Sequence, residues 1–291
     1  MTIAGACRLC PRQCGARRLE GERGFCGADA TLRVARAALH FWEEPPLSGS
    51  GGSGTVFFSN CPLHCVYCQN QALSSGRVGV VISVERLAQI FLELQTQGAE
   101  NINLVTGTHY APQIIEALRR ARDEGLGLPV VWNTSTYENV ETIEMLADHI
   151  DIWLADFRYA SGELAERYSA ARDYPRVAAR ALRQMHQATP GALIVRILLL
   201  PDHLADAKRA LELSYEICGN AASYSLMSQY TPLPDIKGRY PELGCTVSAD
   251  DYDSLVNFAL DLGIRNSFMQ VGDAASESFI PDFDLSGVLH V

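Results

Sequence analysis

From Thr55 onward, short runs of apolar and β-branched residues alternate with stretches of helical periodicity, and this alternation constrains the chain more than any other feature. Such alternation is the mark of βα units on a parallel sheet. Strands are expected at Thr55–Asn60, Asn101–Val105, Val130–Asn133, Ile150–Ala155, Ile194–Leu200 and Tyr224–Ser228, each apolar enough to be covered on both faces. Helical patterns follow at Val84–Gln97, Pro112–Glu124, Val140–Ala147, a pair within Glu163–Gln187, Ala205–Cys218 and Ala249–Leu262. Pro112 suits a first helical turn. With right-handed crossovers these units curve into an α/β fold, a partial (β/α)6 TIM-type barrel whose post-strand loops gather at one rim. Function is expected there.

Composition narrows the setting. Hydrophobic residues make up 47% and charged residues 20%, values of a globular chain rather than a disordered or coiled-coil one. The formal charge of −10 argues against a general nucleic-acid binder. Only Lys208 and Lys237 are lysine, so the arginines are not read one by one as phosphate ligands. No run of about 18 apolar residues and no signal-peptide order at the N-terminus is present, so a cytoplasmic protein without a membrane partner is expected. Disulfides are rare in such a compartment, and seven of the nine cysteines precede Gln69, which points to bound metal.

Three units are expected: a small cysteine-rich, metal-binding segment with its connector over 1–47, the barrel over 48–265, and a tail over 266–291 that folds back across the barrel. The first 36 residues hold seven arginines against three acidic residues, which sets them apart from the acidic remainder. Ser48 to Gly54 reads Ser-Gly-Ser-Gly-Gly-Ser-Gly, a flexible linker by composition or a place where backbone passes close to a cofactor.

The strand at Thr55–Asn60 ends at Cys61-Pro-Leu-His-Cys65-Val-Tyr-Cys68. Three thiolates at this spacing suit three corners of an iron–sulfur cube and leave one iron without a protein ligand. A structural zinc needs four ligands, and His64, adjacent to Cys65, is poorly placed to be the fourth. Cys7-x2-Cys10-x3-Cys14-x11-Cys26 offers four thiols, enough to close a zinc site or an auxiliary cluster around a segment too short to fold unaided.

Cys-x3-Cys-x2-Cys after the first barrel strand resembles the radical S-adenosylmethionine superfamily. Asn101-Ile-Asn-Leu-Val-Thr-Gly-Thr-His109, Trp132-Asn-Thr-Ser135, Asp151-Ile-Trp-Leu-Ala-Asp-Phe-Arg158 and Phe279-Ile-Pro-Asp-Phe-Asp284 resemble its pyruvate formate-lyase activating enzyme-like branch. The resemblance implies a [4Fe-4S] cluster on Cys61, Cys65 and Cys68, S-adenosylmethionine at the open iron, and an electron donor such as flavodoxin or ferredoxin. It further implies reductive cleavage to a 5′-deoxyadenosyl radical that takes hydrogen from a substrate. A protein glycyl Cα is one candidate; a small metabolite, a peptide or RNA are others, and a non-enzymatic iron–sulfur or zinc protein is the alternative outside the family.

By the same resemblance Tyr67 lies near the adenine. Thr106, Gly107 and Thr108 stand where the family has a Gly-Gly-Glu-like turn at the amino group, with the acid missing. Asn133, Thr134 and Ser135 fall near the methionine or ribose. Asp156-Phe157-Arg158 resembles an Asp-x-Lys motif with arginine for lysine. Arg196 and Gln229 complete the expected pocket. Asp156 and Arg196 each sit in or beside an apolar strand and need a partner or a ligand there; His109 is read equally as structural or functional. Cys218 and Cys245 read as ordinary residues. His40-Phe-Trp-Glu-Glu-Pro-Pro46 reads either as part of a substrate pocket or as an element end with Glu43 and Glu44 in solvent.

Overall fold

All the expected strands form close to their expected bounds in the computed structural model, which describes residues 5–269 and 281–289. In chain order the strands are β1 (Arg33–His40), β2 (Ser53–Phe58), β3 (Val80–Val81), β4 (Ile102–Val105), β5 (Val130–Thr134), β6 (Ile152–Asp156), β7 (Leu193–Leu198), β8 (Ser223–Met227) and β9 (Ser267–Met269). They make one sheet in the order β3-β1-β2-β4-β5-β6-β7-β8-β9. From β2 to β9 neighbouring strands run parallel, while β1 is antiparallel to both β2 and β3. The ends do not pair with each other, so the barrel is open, as the six expected βα units predict.

Three strands lie outside the expected set. β1 falls within 1–47 and β9 beyond 265, so the sheet reaches into both flanking segments. Arg33-Val-Ala-Arg-Ala-Ala-Leu-His40 mixes charge and alanine and has weak intrinsic strand preference; pairing with β2 holds it extended, with a register shift between Val34 and Arg36. The described C-terminal residues then bind β1. Leu285 N donates to Ala35 O, Ala37 N donates to Ser286 O, and Arg36 reaches Asp284 at 2.8 Å. Residues 270–280 of the expected capping tail, Phe279 among them, lie outside the described residues.

Alternation along each strand splits the core in two. Leu104, Trp132, Trp153, Val195 and Leu226 point outward beneath the helices. Val131, Leu154 and Ile194 point inward, where Leu47, 1% exposed, packs against them. Leu47 belongs to a short helix, Pro45–Ser48, and Asn101 Nδ2 holds its carbonyl at 2.7 Å. The connector between the cysteine-rich segment and β2 therefore enters the barrel and plugs its lower end.

The Ser/Gly run is neither a linker nor a cofactor approach. It turns into β2 at the end of the barrel opposite the cysteine loop, where the Glu100 carboxylate accepts from Ser50 N and Gly51 N. A Cβ on Gly51 would fall 2.3 Å from Gly98 O, so the glycine serves close contact with neighbouring chain.

Replacing Leu47 by alanine is expected to cost about 2–5 kcal/mol in urea unfolding, through lost burial and a cavity at the barrel base. A loss within about 0.5 kcal/mol, the range of surface substitutions, would refute the plug.

Candidate active site

The chain leaves β2 through Ser59 and Asn60, the latter in the left-handed region at φ 78°, and enters the cysteine loop. Helix and sheet both hold that loop. Val66 N donates to Tyr168 O at 2.8 Å, Ser169 Oγ donates to Cys65 Sγ at 3.1 Å, and Gln69 Nε2 donates to Gln229 O at 3.1 Å beyond β8. His64 also adopts a left-handed conformation, φ 55°, and turns its ring onto Phe25, away from the three thiols.

Cys61, Cys65 and Cys68 line one cavity of about 200 Å³ with Thr106, Asn133, Ser135, Asp156, Arg158, Arg196 and Gln229. These come from the ends of β2, β4, β5, β6, β7 and β8, the rim where function was expected. Tyr67 is placed differently: it is 3% exposed among Tyr159, Tyr168 and Tyr230, and lines an adjoining cavity with Met227 and Leu198. Two candidates do not reach either cavity. A Cβ on Gly107 would collide with Ile114 and Trp132, and the Thr108 hydroxyl donates to Glu138 at 3.1 Å. Glu138, which also accepts from Trp132 Nε1 and Thr134 Oγ1, draws the Thr108 side chain to the outer face of the sheet, where Trp132 lies, and away from the cavity. Thr106, at φ 61°, is the residue of the turn that faces the cavity. His109 is structural: its Nε2 lies 2.8 Å from Ser59 O, and burial foremost lowers its pKa to about 3, so the ring is neutral.

Asp156 and Arg196 do pair. Arg196 Nε donates to Asp156 Oδ1 at 2.6 Å, while Nη2 donates to Asn133 Oδ1 at 2.7 Å. Arg158 Nη2 holds the other Asp156 oxygen at 2.5 Å. Glu43, which the sequence left between pocket and solvent, completes this network from the plugging connector. Its carboxylate accepts from Asn103 Nδ2 at 3.0 Å and Asn133 Nδ2 at 3.3 Å, and faces Arg196 Nη1 at 3.4 Å. Glu44 is buried as well, 8% exposed, so neither carboxylate is solvated. The only forewarning was an acidic pair beside aromatics and prolines between two cysteine clusters; nothing local said that this stretch would enter the barrel.

Burial first, then the neighbouring Cys65, pushes the Cys61 thiol up to about 12, and the same causes raise Cys68. Thiols raised in this way ionise more readily beside a compensating positive charge, as an iron–sulfur group provides. Three thiols without a His64 ligand, beside a cavity lined with hydrogen-bonding groups, fit a cluster with an open iron.

The first cysteine set is also drawn together. A Cβ on Gly24 would lie 3.1 Å from Cys14 Sγ and 3.6 Å from Cys26 Sγ. Cys10 is pushed up to about 12 by burial and then by Cys26, Cys7 and Cys14. Among the described residues, no three His, Cys, Asp or Glu side chains are gathered as a site for a single metal ion.

Residues 55–213 match the family model described as the radical SAM superfamily, more than half of the chain. This chain belongs to the radical SAM superfamily. An uncharacterized protein of Methanocaldococcus jannaschii, MJ0674, is 27% identical over 262 residues, covering 87% of this chain and 74% of its own. Among solved structures, methylornithine synthase (PylB) superposes with a TM-score of 0.52 at 14% identity, over 69% of this chain and 58% of that one. Streptococcus suis SuiB gives 0.51 at 10% identity, over 74% and 48%. These two likenesses show the shared fold. Membership of a radical SAM family implies a [4Fe-4S] cluster, S-adenosylmethionine, an electron donor and a substrate. No helix among the described residues is long and apolar enough to cross a membrane.

Burial, opposed by Arg196 and reinforced by Glu44 and Asp156, raises Glu43 to about 7. Between the ordinary carboxylate range and about 7 the folded chain thus holds more protons than the unfolded one. Stability from this group falls as pH rises through that window. Glu43→Gln is expected to flatten the fall by on the order of 1–3 kcal/mol, read from urea midpoints at pH 5 and 7.5. An unchanged pH slope would show that Glu43 titrates normally.

Proposed function

We propose that this chain cleaves S-adenosylmethionine reductively at a [4Fe-4S] cluster held by Cys61, Cys65 and Cys68, and uses the resulting radical to take a hydrogen atom from a substrate. The observation that carries the reading is the set of three thiols gathered on one polar cavity at the barrel rim, Cys65 buried and Cys61 and Cys68 partly so, with the His64 ring packed on Phe25. Cys61, Cys65 and Cys68 would hold the cluster, which would supply the one-electron reduction of the bound sulfonium. The chain's own residues bind and orient. Thr106, Asn133 and Ser135 offer hydrogen bonds to the cofactor, and Asp156, held from both sides by Arg196 and Arg158, presents a fixed charge pattern rather than a mobile one. Tyr67, Met227 and Leu198 give an apolar wall suited to an adenine ring.

Within the superfamily we propose an activating-enzyme-like role, with a protein glycyl Cα as the substrate and a flavodoxin or ferredoxin as the electron donor. Asp156-Phe157-Arg158 supports it, because the motif occupies the end of β6 with both charged side chains on the cavity. Cys7, Cys10, Cys14 and Cys26 are proposed to bind zinc or an auxiliary cluster, and 1–47, 48–265 and 266–291 to serve as metal segment with connector, barrel and cap.

Anaerobic reconstitution followed by dithionite and S-adenosylmethionine is expected to yield 5′-deoxyadenosine by chromatography. Cys61→Ser, Cys65→Ser and Cys68→Ser should each abolish it. A fully iron-loaded wild type that forms no product would overturn the reading. Cys7→Ser should instead lower the melting temperature while product formation persists in the folded fraction.

A further inference from the structure

The cysteine-rich segment touches the catalytic loop at a point that the proposed chemistry does not use. Arg12, between Cys10 and Cys14, crosses to the barrel and spends its guanidinium on three backbone carbonyls. Nε donates to Pro62 O at 2.9 Å, Nη2 to Ser169 O at 2.8 Å, and Nη1 to Ala170 O. Pro62 lies inside the Cys61-to-Cys65 turn. Ser169 and Ala170 close the helix Gly162–Ser169, whose last carbonyls carry the negative end of the helix dipole and lack helical partners. That helix end also receives the loop through Val66 N and Tyr168 O, and Ser169 Oγ is the donor to Cys65 Sγ.

The ring of Phe25, next to Cys26, completes the joint. It lies 4.0 Å from the Arg12 guanidinium carbon on one side and meets the His64 ring at 5.7 Å on another. Tyr137 covers the guanidinium at 5.1 Å. A left-handed His64 costs strain that a neighbour must hold, and Phe25 is that neighbour. The two residues that reach the catalytic loop thus come from within or beside the first cysteine set, on opposite arms of it.

We propose that Arg12 is a positioning residue that clamps the Cys61–Cys68 loop to the end of the helix Gly162–Ser169, so that order in the first cysteine segment governs how firmly the second holds its iron. The clamp rests on the cluster assignment above for its effect on iron, but its contacts stand without it. A forked, planar cation can bond three carbonyls at once, whereas lysine offers a single point.

The test compares full-length wild type, Arg12→Ala, Arg12→Lys and Phe25→Leu, reconstituted anaerobically. The first readout is loss of the S-adenosylmethionine-responsive electron paramagnetic resonance signal to an iron chelator. The second is amide hydrogen exchange over 61–70. Arg12→Ala is expected to release iron about tenfold faster, the effect of one lost charged hydrogen bond, and to exchange faster at Leu63–Val66. Arg12→Lys and Phe25→Leu should fall between it and wild type, and they keep the test open if Arg12→Ala does not fold. Wild-type rates in the folded variants would overturn the clamp. A wild type with no S-adenosylmethionine-responsive iron would overturn the functional reading instead, while hydrogen exchange would still judge the clamp.

Discussion

A guanidinium inside a barrel of apolar strands sets the terms for everything above it. Arg196 rises from β7 beside Ile194 and must be neutralised where it stands, because an unpaired charge in that setting costs several kcal/mol, on the order of 3–5 when one partner is removed. Asp156 from β6 and Glu43 from the connector do this, and Asn133 accepts from the third nitrogen, Nη2. The barrel interior therefore divides into an apolar lower layer sealed by Leu47 and a polar upper layer that forms the cavity floor. Pleat sends Val131 and Asn133 on β5, and Leu154 and Asp156 on β6, to the same inner face, and their order along the strand puts the apolar residue below and the polar one above.

The cavity is thus assembled from two directions. The post-strand loops supply the three thiols and the rim groups from above, and the N-terminal connector supplies Glu43 and the plug from below. That second contribution makes the connector part of the site, and it places the first cysteine segment on the outer side of the same loop that carries the thiols. Glu138 plays the counterpart role under β4 and β5: three donors converge on its buried carboxylate and turn Thr108 away from the cavity that Thr106 faces.

Much of this was legible from residues alone. Short apolar strand runs and helical runs located the sheet and its covering helices, because burial on both faces leaves little freedom in those patterns. The rim position of Asp156, Arg158, Arg196 and Gln229 followed from strand ends. Gly107 and Thr108 lie off the cavity, and sequence adjacency to Thr106 says nothing of the buried carboxylate thirty residues on that holds the Thr108 hydroxyl. β1 was not visible, since alanine and arginine accept an extended conformation only when a partner strand supplies the hydrogen bonds.

By itself the sequence determined an open βα barrel, a three-cysteine loop at the exit of its first parallel strand, and a second set of four cysteines ahead of it. Spacing and periodicity are local properties, and local properties can be read from a string. Only the tertiary structure decided that Glu43 and Leu47 enter the barrel, that His64 turns to Phe25, and that Arg12 reaches the end of a helix more than 150 residues away. Those outcomes depend on which buried charge, carbonyl or ring is left needing a partner once the chain has closed, and that is settled by packing in three dimensions.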